Sequence, residues 1–454
     1  MTAFGDPSYR PPLARPAPLG HSEWATAGKS VPGSTISSLD LVRRLVGFDT
    51  TSRESNLALI DFVRDYLDGW GIESELVFDD QRRKANLYAT IGPADRGGIM
   101  LSGHTDVVPV DGQAWDSDPF AVSEKGASLY GRGTADIKSF IAAALSLVPD
   151  FVKRGLKTPV HLAFSYDEEV GCIGVRGLIA KLKERPMKPL ACIVGEPTMM
   201  QPVIAHKGKK SLRCRVHGVE SHSALLHEGV NAIEAAAEIV AFLKTMARRK
   251  RELGPFDQGF VPPYTTIQTG TITGGTALNI VPRDCCFDFE FRNIPADDRE
   301  VLFQEVRRYA ESVVLPEMRR VSALTGIAFE ETNDTDGLDM PKDHELVRLA
   351  QSLSGANSVG KVSFAAEAGL FQQADIPTVL CGPARSTWHT SPTSTSPSTR
   401  YANASDSCAA SWTTSRADPR MKHASRTPLP TLPLNGGGFG VGGDTRTLHE
   451  RNRS

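Results

Sequence analysis

Four short stretches of this sequence carry side chains suited to holding a metal ion. His104 follows the apolar run Ile99–Ser102, which is entered through Gly97-Gly98, and Asp106 lies two residues further on. In extended chain that spacing turns both side chains to one face. An imidazole beside a carboxylate suits a metal, because the ring binds the ion and the acid fixes its tautomer and orientation. Asp136 lies in the Gly-rich stretch Gly131–Lys138, the adjacent Glu168 and Glu169 follow the apolar run Val160–Ser165, and Glu196 follows Ala191–Val194. Singly, each acid reads as a solvated loop residue and the imidazole as a hydrogen-bonded one. Their repeated placement after separate apolar runs favours one shared site.

An oxygen-rich donor set with one His suits zinc, cobalt or manganese, and the absence of paired Cys argues against a structural zinc finger. Asp136, in a loop that permits close backbone approach, is suited to bridging two ions about 3.5–4 Å apart. The adjacent glutamates divide the labour. One binds metal, and the other takes a proton from bound water whose pKa falls toward ~7.

Positioning these groups requires strands that end at one place. A Ser-led helix is expected over Leu39–Val46 and a second from Leu57 to Trp70, stopped at Gly71. Strands follow at Glu73–Phe78, Asn86–Ile91 and Ile99–Ser102. The helix Ser139–Val148 is stopped by Pro149. Val160–Ser165 and Ala191–Val194 read as buried strands, with helix Leu178–Lys183 between them. Alternation of this kind indicates an α/β domain with ligands at the carboxyl ends of strands. From about His206 the pattern becomes α+β: strands Ser211–His217, Thr265–Thr273 and Cys286–Arg292, with helices Ala232–Arg248 and Asp298–Val313. Leu346–Ser354 and Thr378–Cys381 return to the first pattern. The organisation expected is a catalytic domain over 36–205 and 326–383, interrupted by a smaller domain over 206–325.

Bulk composition narrows the partners. The 454 residues suggest two or three units at about 150 each. A hydrophobic content of 40% with 23% charged fits a globular chain, and a net charge of -2 gives no reason to invoke nucleic acid or an anionic membrane. No apolar run approaches the roughly 18 residues of a membrane span. Seven cysteines without C-x-x-C spacing point to reduced thiols and a cytoplasmic setting. Residues 1–35 are rich in Pro and Gly and read as a disordered extension, possible upstream translation included.

Together, Ser102-Gly-His-Thr-Asp-Val-Val-Pro109, Gly131-Arg-Gly-Thr-Ala-Asp136, Asp167-Glu-Glu-Val-Gly171 and Val194-Gly-Glu-Pro-Thr198 resemble the motifs of one family. It is the acetylornithine deacetylase / succinyl-diaminopimelate desuccinylase family of dinuclear zinc amidohydrolases. The resemblance runs in order from about Ser37 to Pro383. It implies a mixed-sheet zinc-peptidase-like catalytic domain carrying a dimerisation or lid domain, and two divalent ions, Zn2+ with Co2+ as the alternative. By that resemblance His104 and Glu196 hold one ion, Asp136 bridges, and Glu169 sits on that ion or its neighbour. Glu168 becomes the general base, and Asp106 orients His104. Ser221-His222-Ser223 resembles the segment whose His reaches across a homodimer to support the oxyanion; a plain surface loop is the alternative. Gly275-Thr-Ala-Leu-Asn279-Ile-Val-Pro282 and Phe291-Arg292-Asn-Ile-Pro295 also fit. Arg292 is then suited to a substrate α-carboxylate with Asn279 assisting, against the duller account of a strand-end ion pair. Within the family, Gly195-Glu-Pro-Thr198 with Gln201-Pro-Val203 and His206-Lys-Gly208 looks most like the deacetylases. The substrate implied is an N-acylated amino acid, with desuccinylase, aminoacylase and dipeptidase activities as alternatives.

The resemblance also implies a closing His ligand in an Ala-His-Lys-Pro-like motif, which the written chain lacks. Ala384–Arg426 is loaded with Ser, Thr, Pro and Arg, and Asn435–Gly443 is Gly-rich. When back-translated Pro383–Thr395 is read from the third base of each codon, the bases under Trp388-His389-Thr390 force an Ala followed by His or Tyr, and the whole stretch can spell Gly-Ser-Ile-Asp-Val-Ala-His-Lys-Pro-Asp-Glu-Tyr. The expectation is a frameshift over 384–454. His389 shares its last base with the restored His codon and is the alternative ligand. A frame-disrupted, impaired product is the rival to a working enzyme.

Overall fold

The structure is a computed structural model, and it describes residues 34–126, 128–384 and 395–397. Most of the 1–35 extension and of the 384–454 tail, with its proposed frameshift and His389, lies outside the described residues.

Helix α1 (Ser38–Gly47) starts where Ser37 Oγ accepts from the Asp40 amide at 3.1 Å, and it buries Leu41, Val42, Leu45 and Val46. Helix α2 (Leu57–Asp68) follows, then strands β1 (Ser74–Phe78), β2 (Ala85–Ile91) and β3 (Ile99–His104). Short strands β4 (Ser123–Lys125) and β5 (Ser128–Tyr130) lead to α3 (Lys138–Ser146). Pro149, expected only to stop that helix, also opens a new one, α4 (Val148–Arg154), where its missing N–H costs nothing in the first turn. Strand β6 (Val160–Ser165), α5 (Val175–Glu184), β7 (Ala191–Pro197) and β8 (Val203–His206) complete the first part.

The insert comprises β9 (Gly208–His217), α6 (Ala232–Leu253), β10 (Thr266–Gly274), β11 (Asp284–Asn293), α7 (Arg299–Tyr309), α8 (Leu315–Val321) and β12 (Gly326–Thr335). The chain then returns through β13 (Leu338–Asp339), α9 (Glu345–Ser354), β14 (Gly360–Val362), α10 (Ala368–Gln373) and β15 (Thr378–Gly382). One boundary needs correction. Strand β12 pairs antiparallel with β9, so the insert sheet extends to Thr335 and does not end at 325. A polar, alternating strand resembles loop in sequence, and only its pairing partner reveals where it belongs.

The large sheet runs β1-β2-β6-β3-β7-β15-β8-β13, with β14 beside β8. Strands β6, β3, β7 and β15 are mutually parallel, and every residue in them is buried. That is the burial of parallel strands covered on both faces. The insert sheet, β10-β11-β9-β12, is antiparallel throughout. Strand β9 alternates, with Leu212, Cys214 and Val216 packed in the apolar core of the insert and Lys209, Ser211, Arg213 and Arg215 on the other face. Within the tail, Thr395–Pro397 pairs with β5. No helix among the described residues is long and apolar enough to cross a membrane.

Candidate metal centre

Because β6, β3 and β7 are adjacent and parallel, their last residues lie side by side: Ser165, His104 and Glu196-Pro197. Ligand-binding groups in open α/β sheets gather at such carboxyl ends. Thr105 fastens the junction, donating to the Ser165 carbonyl through its amide at 2.8 Å and its hydroxyl at 2.7 Å. The two expected strand ends reach further than the apolar runs that signalled them. His104 and Glu196 are themselves strand residues.

His104, Asp136 and Glu196 bring one ligand atom each to within 4.8 Å of one another. They are buried, at 1%, 6% and 4% exposure. The His104 Nδ1 faces the Asp106 carbonyl oxygen at 2.9 Å, and since that oxygen can only accept, Nδ1 carries the proton. Nε2 therefore points at the acids, 3.2 Å from Asp136 Oδ1 and 3.9 Å from Glu196 Oε1. Asp136 reaches the cluster through Gly133, whose φ of +85° suits glycine and whose carbonyl accepts from the Lys138 amide at 3.0 Å. One imidazole nitrogen and buried carboxylate oxygens in this arrangement fit a divalent cation.

Glu168 and Glu169 sit on a tight loop after β6. The Glu168 carbonyl accepts from the amides of Gly171 and Cys172, each at 2.9 Å, and Asp167 takes a φ of +56° held by Lys84 Nζ at 2.6 Å. Asp106 receives this loop: Oδ1 accepts from the Glu168 amide at 3.1 Å, Oδ2 from the Glu169 amide at 3.3 Å and from Ser52 Oγ at 2.7 Å. Glu169 is not part of the three-residue cluster. After burial, Asp136 is the charged group that raises its pKa most.

The electrostatics are those of crowded acids. Burial pushes the Glu168 carboxyl up to about 7, with His104 opposing and Asp106 and Asp136 adding to the rise. Burial followed by Asp136 likewise holds Glu169 and Glu196 well above the usual carboxylate range. Burial works against a charged His104, but Asp106 and Asp136 outweigh it and raise its pKa. Divalent positive charge would compensate this excess of negative charge.

Two neighbours of Glu168 carried no usable signal in the sequence. Cys172 Sγ donates to Glu168 Oε1 at 3.5 Å. Glu367, 1% exposed, accepts from Ser165 Oγ at 2.6 Å, and burial pushes it up to about 8. A single acid among small apolar residues, Ala365-Ala-Glu-Ala-Gly369, has no periodic or motif neighbour to mark it. The expected residues of the insert lie elsewhere. His222 and Asn279 sit together in exposed loops, where the Ser223 amide donates to the Asn279 carbonyl at 3.0 Å and His222 Nδ1 accepts from the Ala224 amide at 3.1 Å. Arg292 is half-buried on β11, its Nε donating to Glu290 Oε1 at 3.1 Å, so an ion pair does form there.

Residues 100–409 match the model of Peptidase family M20/M25/M40. The chain is 34% identical over 354 residues to an acetylornithine deacetylase of Proteus mirabilis, covering 76% of this chain and 88% of that one. Its fold is that of an M20 family metallo-carboxypeptidase from Sulfolobus solfataricus (TM-score 0.66, 16% identity, 83% of this chain and 98% of the other). It is also that of a dinuclear metal-binding M20 peptidase from Bacillus subtilis (TM-score 0.58, 16% identity, 83% and 96%). The chain is a member of the M20/M25/M40 peptidase family and, within it, of the acetylornithine deacetylase / succinyl-diaminopimelate desuccinylase group of metal-dependent amidohydrolases.

Proposed function

We propose that this chain removes the acetyl group from N2-acetyl-L-ornithine, releasing acetate and ornithine. The observation that carries the reading is the convergence of His104, Asp136 and Glu196 beside Glu168, a carboxyl with its pKa near neutrality. Similarity to proteins named acetylornithine deacetylase supports the choice of substrate.

In this reading His104, Asp136 and Glu196 hold one divalent ion, while Asp136 and Glu169 hold a second. Zn2+ is the first choice and Co2+ the alternative. The dinuclear centre of the Bacillus subtilis neighbour supports the count of two. When bound, the ions acidify water and polarise the acyl carbonyl. Glu168 accepts the proton lost on attack and returns it to the leaving amine. Asp106 keeps the His104 ring oriented and fixes the Glu168 backbone.

His222 is assigned to the oxyanion in the site of a second copy. Its Nδ1 is occupied as an acceptor, so the proton resides on Nε2, free to donate. The exposed Leu225, Leu226, Leu278 and Ile280 around it support apposition of a second copy into a homodimer. Cys172, Cys192, Cys214, Cys285 and Cys286 are free thiols, in keeping with the cytoplasmic expectation. Acetate release from N2-acetyl-L-ornithine, compared with cleavage of N-succinyl-diaminopimelate and of a dipeptide, tests the reading. Cleavage of the dipeptide alone would refute it.

A further inference from the structure

Ser165, the last residue of β6, is fastened from two sides. Its carbonyl accepts from the amide and hydroxyl of Thr105, at 2.8 and 2.7 Å, which ties its main chain to the end of β3. Its hydroxyl donates to Glu367 Oε1 at 2.6 Å. The partners in that bond are 202 residues apart, and Glu367 comes from the part of the catalytic domain that follows the insert. The segment that begins at Glu367 is held firmly. Its carbonyl accepts from the Leu370 and Phe371 amides at 3.0 and 3.2 Å, and the Gly369 amide donates to His206 Nε2 at 3.1 Å. Gly369 has no room for a Cβ, which would lie 2.1 Å from the Asp336 carbonyl oxygen.

Packing alone does not account for the Glu367 carboxyl. Ser165 and Glu367 are 0% and 1% exposed, and Glu367 Oε2 is buried without a hydrogen bond. An unsatisfied buried oxygen works against folding, and an apolar side chain would fill the place at less cost. Buried polar groups of this kind collect at functional sites. What the bond to Ser165 controls is the start of the Glu168 loop. Only Tyr166 separates Ser165 from Asp167, whose φ of +56° turns the chain immediately before Glu168. At the far end of the same loop, Cys172 Sγ donates to Glu168 Oε1 at 3.5 Å. Burial raises the Glu367 pKa, and of the charged groups Glu168 adds most to the rise.

We propose that Glu367 is a positioning residue for Glu168: by anchoring the Ser165 hydroxyl it fixes the end of β6, and with it the point from which the loop presents Glu168 to the site. This rests on the functional reading above. Glu367 acts through Ser165 and the loop, without touching substrate. The role needs an acceptor oxygen, so glutamine can fill it and leucine cannot. Misplacing the base by about 1 Å costs turnover about a hundredfold while ground-state binding survives.

The full-length, zinc-loaded chain and its variants Glu367→Gln, Glu367→Leu, Ser165→Ala and the last two combined test this. Two measurements are made on each: kcat and KM for N2-acetyl-L-ornithine, and hydrogen exchange of the segment 166–173 by mass spectrometry. E367L and S165A are each expected to lower kcat about ten- to a hundredfold with KM within about threefold, and to speed exchange of that segment at least about threefold. The combined variant should lose no more than the worse single one, since both remove the same bond. E367Q should stay within about threefold in every measurement. Should E367L not fold, S165A and E367Q decide the matter: S165A must show the losses and E367Q must not. An unaltered kcat in S165A, losses that multiply in the combined variant, E367Q as poor as S165A, or a raised KM at constant kcat would overturn the assignment. The two readings fail separately. Faster exchange in S165A with no acetate release from the unsubstituted chain refutes the hydrolytic reading and leaves the positioning role. Acetate release with kcat and exchange both unaltered in S165A does the reverse.

Discussion

Asp106 meets His104 through its backbone more closely than through its side chain: Nδ1 lies 2.9 Å from the Asp106 carbonyl oxygen and 3.5 Å from its Oδ1. The main chain can therefore set the tautomer, which leaves the carboxylate to bind the amides of Glu168 and Glu169 and the hydroxyl of Ser52. Asp106 couples the His104 imidazole to the loop carrying Glu168, the proposed general base.

Replacing Asp106 should for that reason disturb the loop as well as the ring. Asp106→Ala is expected to lower both zinc affinity and turnover about 10- to 100-fold, and Asp106→Asn, which keeps one acceptor oxygen, to lose less. Zinc competition against a chelator of known affinity, run alongside acetate release, measures both. Equal losses in the two variants would show that the acceptor geometry is immaterial.

Ion stoichiometry separates the roles of the ligands. Asp136→Ala should leave little of either ion, whereas Glu196→Ala should chiefly reduce one, because Asp136 belongs to the His104–Glu196 cluster and is also the charged group that acts most strongly on Glu169. Elemental analysis after dialysis decides this, and identical zinc contents for the two variants would refute the proposed bridging role of Asp136.

Glu168 must be ionised to accept a proton, so its raised pKa dictates a loss of activity as pH falls through it. The acid limb of kcat/KM should lie at or below about 7, since bound cations favour the carboxylate and draw the value down from that of the ion-free site. Glu168→Gln should lose about 10²- to 10⁴-fold in kcat while keeping its zinc. A Gln variant with near-normal turnover would eliminate this residue as the base.

His206 sets a pH dependence of stability. The ring is fully buried, Nε2 accepts from the Gly369 amide at 3.1 Å, and burial pushes its pKa down from 6.5 to about 4. Above pH 6.5 the ring is neutral in both folded and unfolded chains and contributes no slope. Below 6.5 the unfolded chain takes up a proton that the folded one refuses until about pH 4, so stability falls across that window, by at most about 3 kcal/mol. Urea titrations of chelator-treated protein at pH 7.5, 5.5 and 4.5 should show the decline, and His206→Gln should flatten it. Parallel curves for the two proteins would contradict the assignment.

Much of the fold and of the site was legible in sequence, for local reasons. Strands β3, β6, β7 and β15 are short apolar runs bounded by glycine, proline or polar residues, and α1 announces itself by its Ser cap and apolar period. His104, Asp136 and Glu196 were nameable because each follows such a run or lies in a glycine-rich turn. Strand β12 was assigned to the wrong part, since the polar face of an edge strand has no apolar signal of its own. Glu367 and Cys172 were illegible because their importance lies in who stands next to them.

The sequence by itself determined the donors, their chemistry and the elements that carry them, since periodicity, capping and turn preference act over a few residues. Tertiary structure decided which atoms meet. The order β6-β3-β7-β15 differs from chain order and brings together strand ends about sixty residues apart or more, as with His104 and Ser165. Likewise the register of β9 on β11 sets Lys209 opposite Arg292, and a shift by one residue would have turned that cation into the insert's core.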